Sequence, residues 1–383
     1  MSHGKGYGVG FYLAFAANFF FFASFQWTFV TLPGYIQQLG GSAAQMGLAT
    51  GLVTLSAVLV RPGIGHLVDR WGRQWALIAG AALFTLEPIL YLLTPAVWPF
   101  LAVRLLRGVG LAAFTTAYTA LVADLTPPTR RGAAIGLSGV TNNVGLLFAP
   151  ALGALVQARW GYPAHFLAAA AIGVGSLLTL LPLQALRSAA APARGRFRFW
   201  TVARLRPVQA ATLGSTGLAA AYGAVLSFLP PLAAERQLTA TGGYFTAFAV
   251  AMMACQAAAG WLSDRVGRRA VAVPGLIVTP LATAGLALAH SNAALLAAGA
   301  GMGLSWGLTR AGLDTTVVDA VPGGARGTAL GFLYTCFDAG IGIGAFGLGI
   351  VAQAQGYAAA FAAAAAWAAT ALVGYLGKER RLS

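Results

Sequence analysis

The chain has 383 residues, of which 58% are hydrophobic and 9% are charged, and its formal net charge is +15. A soluble domain carries about 25% charged residues, so the composition excludes an ordinary soluble globule. The basic excess would suit a nucleic-acid partner, but the positive charges fall between apolar segments in a way that indicates membrane topology instead.

Apolar stretches of about 20 residues, each long enough to cross a bilayer core of ~30 Å, recur along the whole chain. The first is interpreted as a retained helix and not as a signal peptide, because no convincing small-residue cleavage site follows it. The sequence predicts twelve transmembrane spans, at residues 9–32, 46–64, 75–94, 98–122, 134–157, 164–186, 208–233, 243–262, 270–289, 294–318, 328–353 and 358–376.

The loop cations predict the orientation of these spans. With the N-terminus in the cytoplasm, nearly every arginine and lysine outside the spans falls on the inner side, and only Arg159 and Arg236 lie outside. We therefore expect a multi-pass protein of the cell (inner or plasma) membrane with both termini in the cytoplasm. Cys255 and Cys336 fall inside spans, so neither a disulfide framework nor a metal site is predicted, and no cofactor is expected.

A decapeptide is written twice between apolar runs, as GHLVDRWGRQ at residues 65–74 and GWLSDRVGRR at residues 260–269. The same offset of 195 residues pairs Asp124 with Asp319 and Gly161 with Gly356. A fixed period over this distance predicts two copies of one six-helix unit, at residues 1–186 and 208–383. The basic stretch at 187–207 is the predicted cytoplasmic linker, either a disordered connector or an amphipathic helix on the membrane surface.

The decapeptides are predicted to form tight cytoplasmic turns after spans 2 and 8. Their charges would lie at the membrane edge, where half-buried groups need partners, and Asp124 and Asp319 are natural partners for Arg73 and Arg268. We expect a latch that holds the inner helix ends together in one conformation; a basic turn that only fixes topology is the alternative. The predicted cytoplasmic gate comprises Gly65, Asp69, Arg70, Gly72, Arg73, Asp124, Asp264, Arg265, Arg268 and Asp319.

Three motifs resemble those of the major facilitator superfamily. The decapeptides are similar to its loop motif G-x-L-x-D-R-x-G-R-[KR], with Gln74 in place of the last basic residue in the first copy. Residues 101–113 resemble its fourth-helix motif, with Arg107 in place of the usual glutamine. Residues 136–154 resemble the fifth-helix motif associated with antiporters, and the matching residues are Gly136, Gly145, Pro150 and Gly153.

The resemblance implies an all-α integral membrane fold of twelve helices, in two six-helix bundles related by pseudo-twofold symmetry around a central cavity that moves by alternating access. It also implies a monomer and a part in coupling for Arg104. The fifth-helix residues have a reading of their own: glycines let another backbone approach closely, and Pro150 favours a kink. Such a helix could seal the two bundles against each other, or could simply pack tightly.

Charges inside spans are costly and normally face a cavity or a partner. A carboxylate in a low-dielectric cavity is the natural proton carrier, because burial penalises its charged form. Asp338, about 15 Å from the start of its span, is the first candidate; a permanent ion pair with Arg107 or Arg310 is the alternative. Glu87 is the second. The predicted proton-coupling residues are therefore Asp338, Glu87 and Arg104.

Polar and aromatic side chains in an apolar wall orient a ligand, and those within the spans are the candidates for the substrate cavity. Arg107 would add positive potential there, and Arg310 with Asp314, four residues apart, either contacts the substrate or forms a pair along one helix. The predicted cavity residues are Asn18, Gln26, Trp27, Arg107, Asn142, Asn143, Tyr222, Gln256, Trp306, Arg310 and Asp314.

These features predict a secondary transporter, and not an enzyme, that exports a small amphipathic or drug-like compound in exchange for protons (or sodium). The alternative is a proton-coupled uptake symporter for an organic anion or similar metabolite, which the cavity arginines favour. An intramembrane transferase would need clustered carboxylates, and no DxD or DxxD pair occurs among the nine acidic residues. Its expected partners are the substrate, the coupling ion and membrane lipid, and no nucleic acid.

Overall fold

A computed structural model describes residues 8–126, 131–185, 199–322 and 326–379, and every regular element in them is helical. Thirteen α-helices follow one another: α1 (Val9–Trp27), α2 (Leu32–Gln38), α3 (Ala43–Trp71), α4 (Arg73–Leu92), α5 (Val97–Leu125), α6 (Arg131–Leu180), α7 (Phe199–Ala203), α8 (Arg206–Glu235), α9 (Thr241–Val266), α10 (Arg268–Ala287), α11 (Asn292–Asp319), α12 (Arg326–Gln355) and α13 (Tyr357–Glu379). A 3₁₀ turn at Leu181–Ala185 follows α6.

The predicted all-α membrane fold is confirmed, whereas the number of twelve spans stays a prediction. Within the described ranges, nine helical stretches are long and apolar enough to cross a membrane; one of them, Thr141–Leu183, has 43 residues and contains two spans. Helix α6 breaks at Gly161, whose φ of 79° and ψ of −179° are not helical. Helices α9 and α11 have 26 and 28 residues, which is long enough to cross a bilayer core.

Single glycines connect several neighbouring helices. Gly72 separates α3 from α4 with φ 90° and ψ 171°, and Gly267 separates α9 from α10 with φ 92° and ψ 155°. Gly161 and Gly356 also have positive φ, of 79° and 87°. This region of backbone space is essentially accessible only to glycine. Each of the two pairs is 195 residues apart, so the turns repeat as the sequence does.

Two predicted boundaries were wrong. The decapeptides are not loops: α3 continues to Trp71 and α9 to Val266, and only one glycine of each motif forms the turn. The first span is shorter than predicted, because α1 ends at Trp27 and a turn precedes α2, which has a proline in its first turn. Proline is well suited to a helix start and restricts the residue before it.

The chain separates into two compact units, Met1–Phe29 with Ser56–Pro192 (unit 1) and Val30–Leu55 with Ala193–Ser383 (unit 2). The two repeats expected at 1–186 and 208–383, with the linker between them, stay a prediction. Of that linker the structure describes residues 199–207, where α7 is a short helix.

The core of unit 1 is aromatic. The ring of Phe21 stacks on that of Phe114 at 3.8 Å and lies 4.1 Å from that of Phe84, and all three are buried. Phe21 belongs to the run of four phenylalanines in the first span, so one face of that run supports the core. Dispersion and burial over these large rings bind α1, α4 and α5 together.

The core of unit 2 consists mainly of small aliphatic side chains on α8, α10, α11, α12 and α13, closed at one end by Tyr375. Residues 30–55 join this unit. There Thr50 Oγ1 lies 2.8 Å from Ser227 Oγ, and a Cβ added to Gly51 would lie 3.1 Å from the carbonyl oxygen of Gly342. The glycines of α3 and α12 therefore let these two helices approach closely.

Candidate transport site

A charged cluster is buried inside unit 1 between α4 and α5. Glu87 on α4 is completely buried, and its Oε2 accepts a hydrogen bond from Arg107 Nη1 on α5 at 2.5 Å. Arg104 Nη1 lies 3.6 Å from the other carboxylate oxygen, which also accepts a hydrogen bond from the Tyr91 hydroxyl. Arg104 Nη1 donates in turn to the Tyr91 oxygen at 3.2 Å. Both oxygens of Glu87 are therefore engaged.

Arg107 links this cluster to a third helix. Its Nη2 donates to the carbonyl oxygen of Phe25 at 2.7 Å and to Thr28 Oγ1 at 3.3 Å, where α1 ends. Its guanidinium also lies 4.8 Å and 5.0 Å from the ring centres of Phe25 and Phe84. A guanidinium is suited to such a position because its donors form a rigid planar fork. Arg107 thus joins the end of α1 to α4 and α5.

Predicted cavity residues on α1 and α6 form a polar seam within unit 1. Asn18 Nδ2 donates to Thr141 Oγ1 and to Asn142 Oδ1, both at 2.6 Å, and Gln26 Nε2 donates to the Asn142 carbonyl oxygen at 3.0 Å. Asn18 and Gln26 are buried, and the consecutive residues Asn142 and Asn143 are half-buried. These amides join α1 to α6, and Asn142 and Asn143 keep part of their surface open.

The fifth-helix glycines have a packing role against α1. A Cβ on Gly145 would lie 2.8 Å from Gln26 Oε1, and one on Gly153 would collide with the Trp27 carbonyl oxygen. Trp27 Nε1 donates to the His165 carbonyl oxygen at 3.1 Å, and His165 Nδ1 lies 2.9 Å from the Gly153 carbonyl oxygen. Trp27 is thus a buried structural residue in unit 1.

The kink expected at Pro150 stays a prediction, because a proline can bend a helix whose φ and ψ remain helical. Gly161 is the residue of α6 with non-helical φ and ψ, and Pro150 lies within the helical stretch before it. Gly136 lies outside the side chains that the structure describes. The proposed sealing role of this helix stays a prediction.

A second charged cluster lies in unit 2, on α11 and α12. Arg310 Nη2 lies 3.2 Å from Asp314 Oδ2, which also accepts a hydrogen bond from the Tyr334 hydroxyl at 3.0 Å. Asp338 is close enough for an electrostatic interaction with Arg310. The side chains of Arg310 and Asp314 are 16% and 25% exposed, against 2% and 0% for Arg107 and Glu87.

Aromatic rings surround this second cluster. The Arg310 guanidinium lies 4.2 Å from the centre of the Tyr334 ring and 5.2 Å from that of Phe337. The Trp306 ring contacts Phe337 edge to face at 5.3 Å, and Tyr222 lies 4.8 Å from Trp306. Together these rings form an aromatic wall, defined here as Tyr222, Phe248, Trp306, Tyr334 and Phe337. Gln256, on α9, is half-buried outside these contacts.

The structure describes part of the predicted gate. Arg268 Nε lies 3.0 Å from Asp319 Oδ2, the partner expected from the sequence, and its Nη1 donates to Ser263 Oγ at 2.9 Å. Arg73 Nη1 donates to the Ala120 carbonyl oxygen at 2.8 Å, while Arg70 and Arg265 are exposed. The side chains of Gly65, Asp69, Asp124 and Asp264 lie outside those that the structure describes.

Several residues at these sites were missed by the sequence reasoning. Tyr91 lies four residues from Glu87, a spacing that brings side chains together on a helix and could have revealed it. Tyr334 contacts Asp314, 20 residues away on the preceding helix, and the sequence holds no local signal for that contact. Arg269 Nε lies 3.1 Å from Glu379 Oε2 near the end of α13, a contact between distant segments for which the sequence holds no signal. Among the described residues, no group of three or more His, Cys, Asp or Glu side chains could hold a metal ion.

The long apolar helices of the described residues, with ion clusters buried among them, indicate an integral membrane protein. The family model of the Major Facilitator Superfamily matches residues 14–246 and 211–383, and the chain belongs to this family. It is a multi-pass membrane protein.

Curated relatives are similar over part of their length. The chain is 34% identical over 169 residues to a multi-drug resistance efflux pump PmrA homolog of Lactococcus lactis, which covers 43% of this chain and 40% of the relative. It is 33% identical over 164 residues to the multidrug resistance protein MdtG of Citrobacter koseri, covering 41% and 40%. The matched region thus spans about two fifths of these relatives.

Two solved structures share the fold over almost the whole chain. A mutant of the nucleoside transporter NupG has a TM-score of 0.81 at 12% identity and covers 96% of this chain and 99% of its own. A bacterial homolog of the human lysosomal transporter Spinster has a TM-score of 0.81 at 17% identity, with 99% and 98% covered. At these identities the likeness shows the fold alone.

Proposed function

We propose that this chain is a proton-coupled efflux transporter for small amphipathic or drug-like compounds. The observation that carries the proposal is the aromatic wall of unit 2 with a partly exposed ion cluster beside it. Aromatic faces give a ligand large apolar contact at little entropic cost, and a few charged groups fix its orientation. The similarity to multidrug efflux proteins supports the same substrate class.

Asp338 is the proposed proton carrier. It is half-buried beside Arg310 and the aromatic wall, so a proton and a substrate would compete in one neighbourhood. Asp314 is a second candidate for the proton carrier in this cluster, since its Oδ1 is buried and accepts no hydrogen bond from a described group. Glu87 and Arg104 are the weaker candidates, because both Glu87 oxygens are held by arginine and tyrosine. We assign them to positioning α1, α4 and α5.

We further propose that the Arg268–Asp319 pair and its counterpart in the first repeat act as the cytoplasmic gate. The excess of arginine in the loops supports a cytoplasmic position for both pairs and for the two termini. We propose that the protein acts as a monomer in the cell inner membrane. Exposed ion pairs are weak, so a gate of this kind can open and close at small cost.

One observation favours the alternative, uptake of an organic anion or a similar metabolite. The buried cluster of unit 1 has two arginines for one glutamate and thus one positive charge in excess. Positive potential of this kind attracts anions, and a solved structure with the same fold is a nucleoside transporter. The full burial of this cluster counts against a direct contact with substrate.

The test is substrate-driven proton flux in liposomes that contain the purified protein. With a pH-sensitive dye inside and an imposed proton gradient, adding an amphipathic compound such as ethidium should dissipate the gradient. The Asp338→Asn variant should bind ethidium and fail to dissipate it, and Glu87→Gln serves as the matched acidic control in the other unit. The proposal is wrong if no amphipathic compound tested moves protons through the wild-type protein, or if Asp338→Asn moves them at the wild-type rate.

A further inference from the structure

We propose that Tyr244 is a positioning residue for substrate binding: it orients the hydroxyl of Tyr222, which donates a hydrogen bond to a neutral acceptor atom of the substrate, such as a carbonyl oxygen. This inference rests on the proposed function, because it takes the aromatic wall of unit 2 as the place where substrate binds. It goes further in naming a chemical group of the substrate and the two residues that select it.

Tyr244 carries a buried hydroxyl that has no hydrogen-bond partner among the described groups. The residue lies on α9 and is completely buried, and so is its hydroxyl oxygen. Buried polar groups in native proteins are nearly always hydrogen-bonded, so an unpaired one calls for an explanation. Two other fully buried tyrosines follow the rule, since Tyr91 donates to Glu87 and Tyr375 to Glu379. The hydroxyl of Tyr244 is available as a donor where theirs are already engaged.

The ring of Tyr244 is held in place from two sides. A Cβ added to Gly299 on α11 would lie 3.0 Å from Cδ2 of this ring and 2.7 Å from the Tyr244 carbonyl oxygen, so the two helices approach closely there. The buried ring of Phe245 packs against it edge to face at 5.4 Å. A ring enclosed in this way cannot swing towards a distant acceptor. The hydroxyl therefore keeps one position, and a partner has to come to it.

Tyr222 on α8 is the partner that can move. It lies close enough to Tyr244 for an electrostatic interaction between the two hydroxyls. It is half-buried, and it belongs to the aromatic wall, where its ring lies 4.8 Å from that of Trp306 and stacks on that of Phe248 at 5.9 Å. One side of the Tyr222 ring thus remains open, while its hydroxyl lies beside a fixed donor.

The two hydroxyls form a chain that a substrate acceptor completes. A tyrosine hydroxyl donates one hydrogen bond and accepts others at the same oxygen. When Tyr222 donates to the substrate, a small shift of its ring lets its oxygen accept from Tyr244. Hydrogen bonds in such a chain polarise one another, and they are stronger at low dielectric than in water. The wall would then bind the rings of a substrate, and the chain would favour substrates that carry an acceptor at the ring edge.

The first experiment measures the melting temperature of ligand-free protein in detergent. Tyr244→Phe should melt at or above the temperature of the wild type, because it removes a buried hydroxyl that makes no bond. Tyr375→Phe is the matched control and should melt lower, because its hydroxyl donates to Glu379 at 2.9 Å. If Tyr244→Phe melts as far below the wild type as Tyr375→Phe does, its hydroxyl is already paired in the free protein and the proposal is overturned.

The second experiment compares the binding of two ligands by equilibrium dialysis. The ligands 9-fluorenone and fluorene share one ring system and differ by a carbonyl group in place of a methylene. Relative to the wild type, the preference for fluorenone should fall by about fivefold in Tyr222→Phe and by about threefold in Tyr244→Phe. It should be unchanged in Tyr375→Phe. An unchanged preference in a folded Tyr244→Phe protein overturns the proposal, as does saturable binding of neither ligand by the wild type.

These readouts separate the inference from the proposed function. A protein that shows both changes in preference and never exchanges protons for an amphipathic compound upholds the tyrosine pair and refutes proton-coupled efflux. A protein that moves protons on ethidium addition, with the same ligand preference in Tyr244→Phe as in the wild type, does the reverse.

Discussion

The two units solve the same problem, charge inside a membrane helix bundle, in opposite ways. In unit 1, Glu87 is surrounded by two arginines and a tyrosine and is fully buried, and the cluster fixes three helices to one another. In unit 2, Arg310 has two carboxylates, is partly exposed, and lies against aromatic rings. In unit 1 both carboxylate oxygens of Glu87 are hydrogen-bonded, and such a fully paired cluster stabilises the fold. In unit 2 Asp314 Oδ1 accepts no hydrogen bond from a described group, so this more open cluster can exchange its partners.

The repeat makes this contrast sharper. At the offset of 195 residues, Glu87 corresponds to Ala282 and Arg107 to Met302, while Arg310 corresponds to Thr115 and Asp338 to Asn143. The turn glycines and the gate residues follow the repeat, and the charged residues within the spans depart from it. The positions that the two repeats share therefore form the helix connections and the predicted gate. The positions that differ hold the buried charges, which distinguish one unit from the other.

The largest expected effect is on stability, from Glu87→Ala. Removing the acid leaves two buried arginines without their anion, and breaking a buried pair from one side costs about 3–5 kcal/mol. The melting temperature of Glu87→Ala in detergent should fall strongly. That of Glu87→Gln, which keeps a hydrogen-bonding side chain, should fall less. A melting temperature of Glu87→Ala equal to that of the wild type would show that the cluster of unit 1 does not hold its helices together.

Gly72→Ala and Gly267→Ala should each cost about 1–3 kcal/mol, because both glycines occupy backbone conformations that a side chain makes strained. No neighbouring atom lies within 4 Å of a Cβ at either position, so the cost comes from the backbone alone. Thermal unfolding of the two variants should therefore give similar shifts. Gly331→Ala, at a helical glycine with the same open surroundings, is the control and should be neutral or stabilising. Clearly unequal shifts would mean that the two turns are not equivalent.

The Arg268–Asp319 pair should contribute much less. Its side chains are 31% and 54% exposed, and exposed pairs couple by about 0.2–1 kcal/mol. A double-mutant cycle with Arg268→Ala and Asp319→Ala measures this coupling, and the same cycle on Glu87 and Arg107 gives the buried reference. The comparison between exposed and buried pairs fails if the Arg268–Asp319 coupling equals the buried one.

The smallest change in stability is expected for Asp338→Asn. The amide has almost the same shape as the carboxylate, so the melting temperature should stay within a degree or two of the wild type, equivalent to about 0.5 kcal/mol. Its proton flux, by contrast, should be lost. A strongly destabilised Asp338→Asn protein would place this residue among structural groups like Glu87.

Much of the fold was accessible from the sequence because long apolar runs and a fixed period are strong, local signals. The helix ends were less accessible: charged residues such as Asp69 and Arg70 suggested a loop, yet the helix continues to Trp71 and one glycine makes the turn. Arg104 and Arg107 were expected on one face of a helix. Their pairing with Glu87 could not be predicted, since it depends on which face of α4 packs against α5.

The aromatic wall shows the same limit. Trp306 and Tyr222 were candidates because polar and aromatic side chains in an apolar wall orient a ligand. Tyr334 and Phe337 look like ordinary packing residues until α11 and α12 are placed side by side. Pairs of charges along one helix, such as Arg310 and Asp314, follow from spacing alone. Contacts between helices need the geometry of the bundle.

The one-residue connections at Gly72 and Gly267 have a mechanical consequence. A joint of this length has no slack, so α3 cannot slide past α4, nor α9 past α10, by even one helical turn without unwinding. We therefore expect α3 and α4 to move as one rigid pair, and α9 and α10 as another, with the arginines of each decapeptide next to the connecting glycine. An extra residue inserted at Gly72 or Gly267 would let the two joined helices move separately, and we expect the proposed transport to be lost while every helix remains intact.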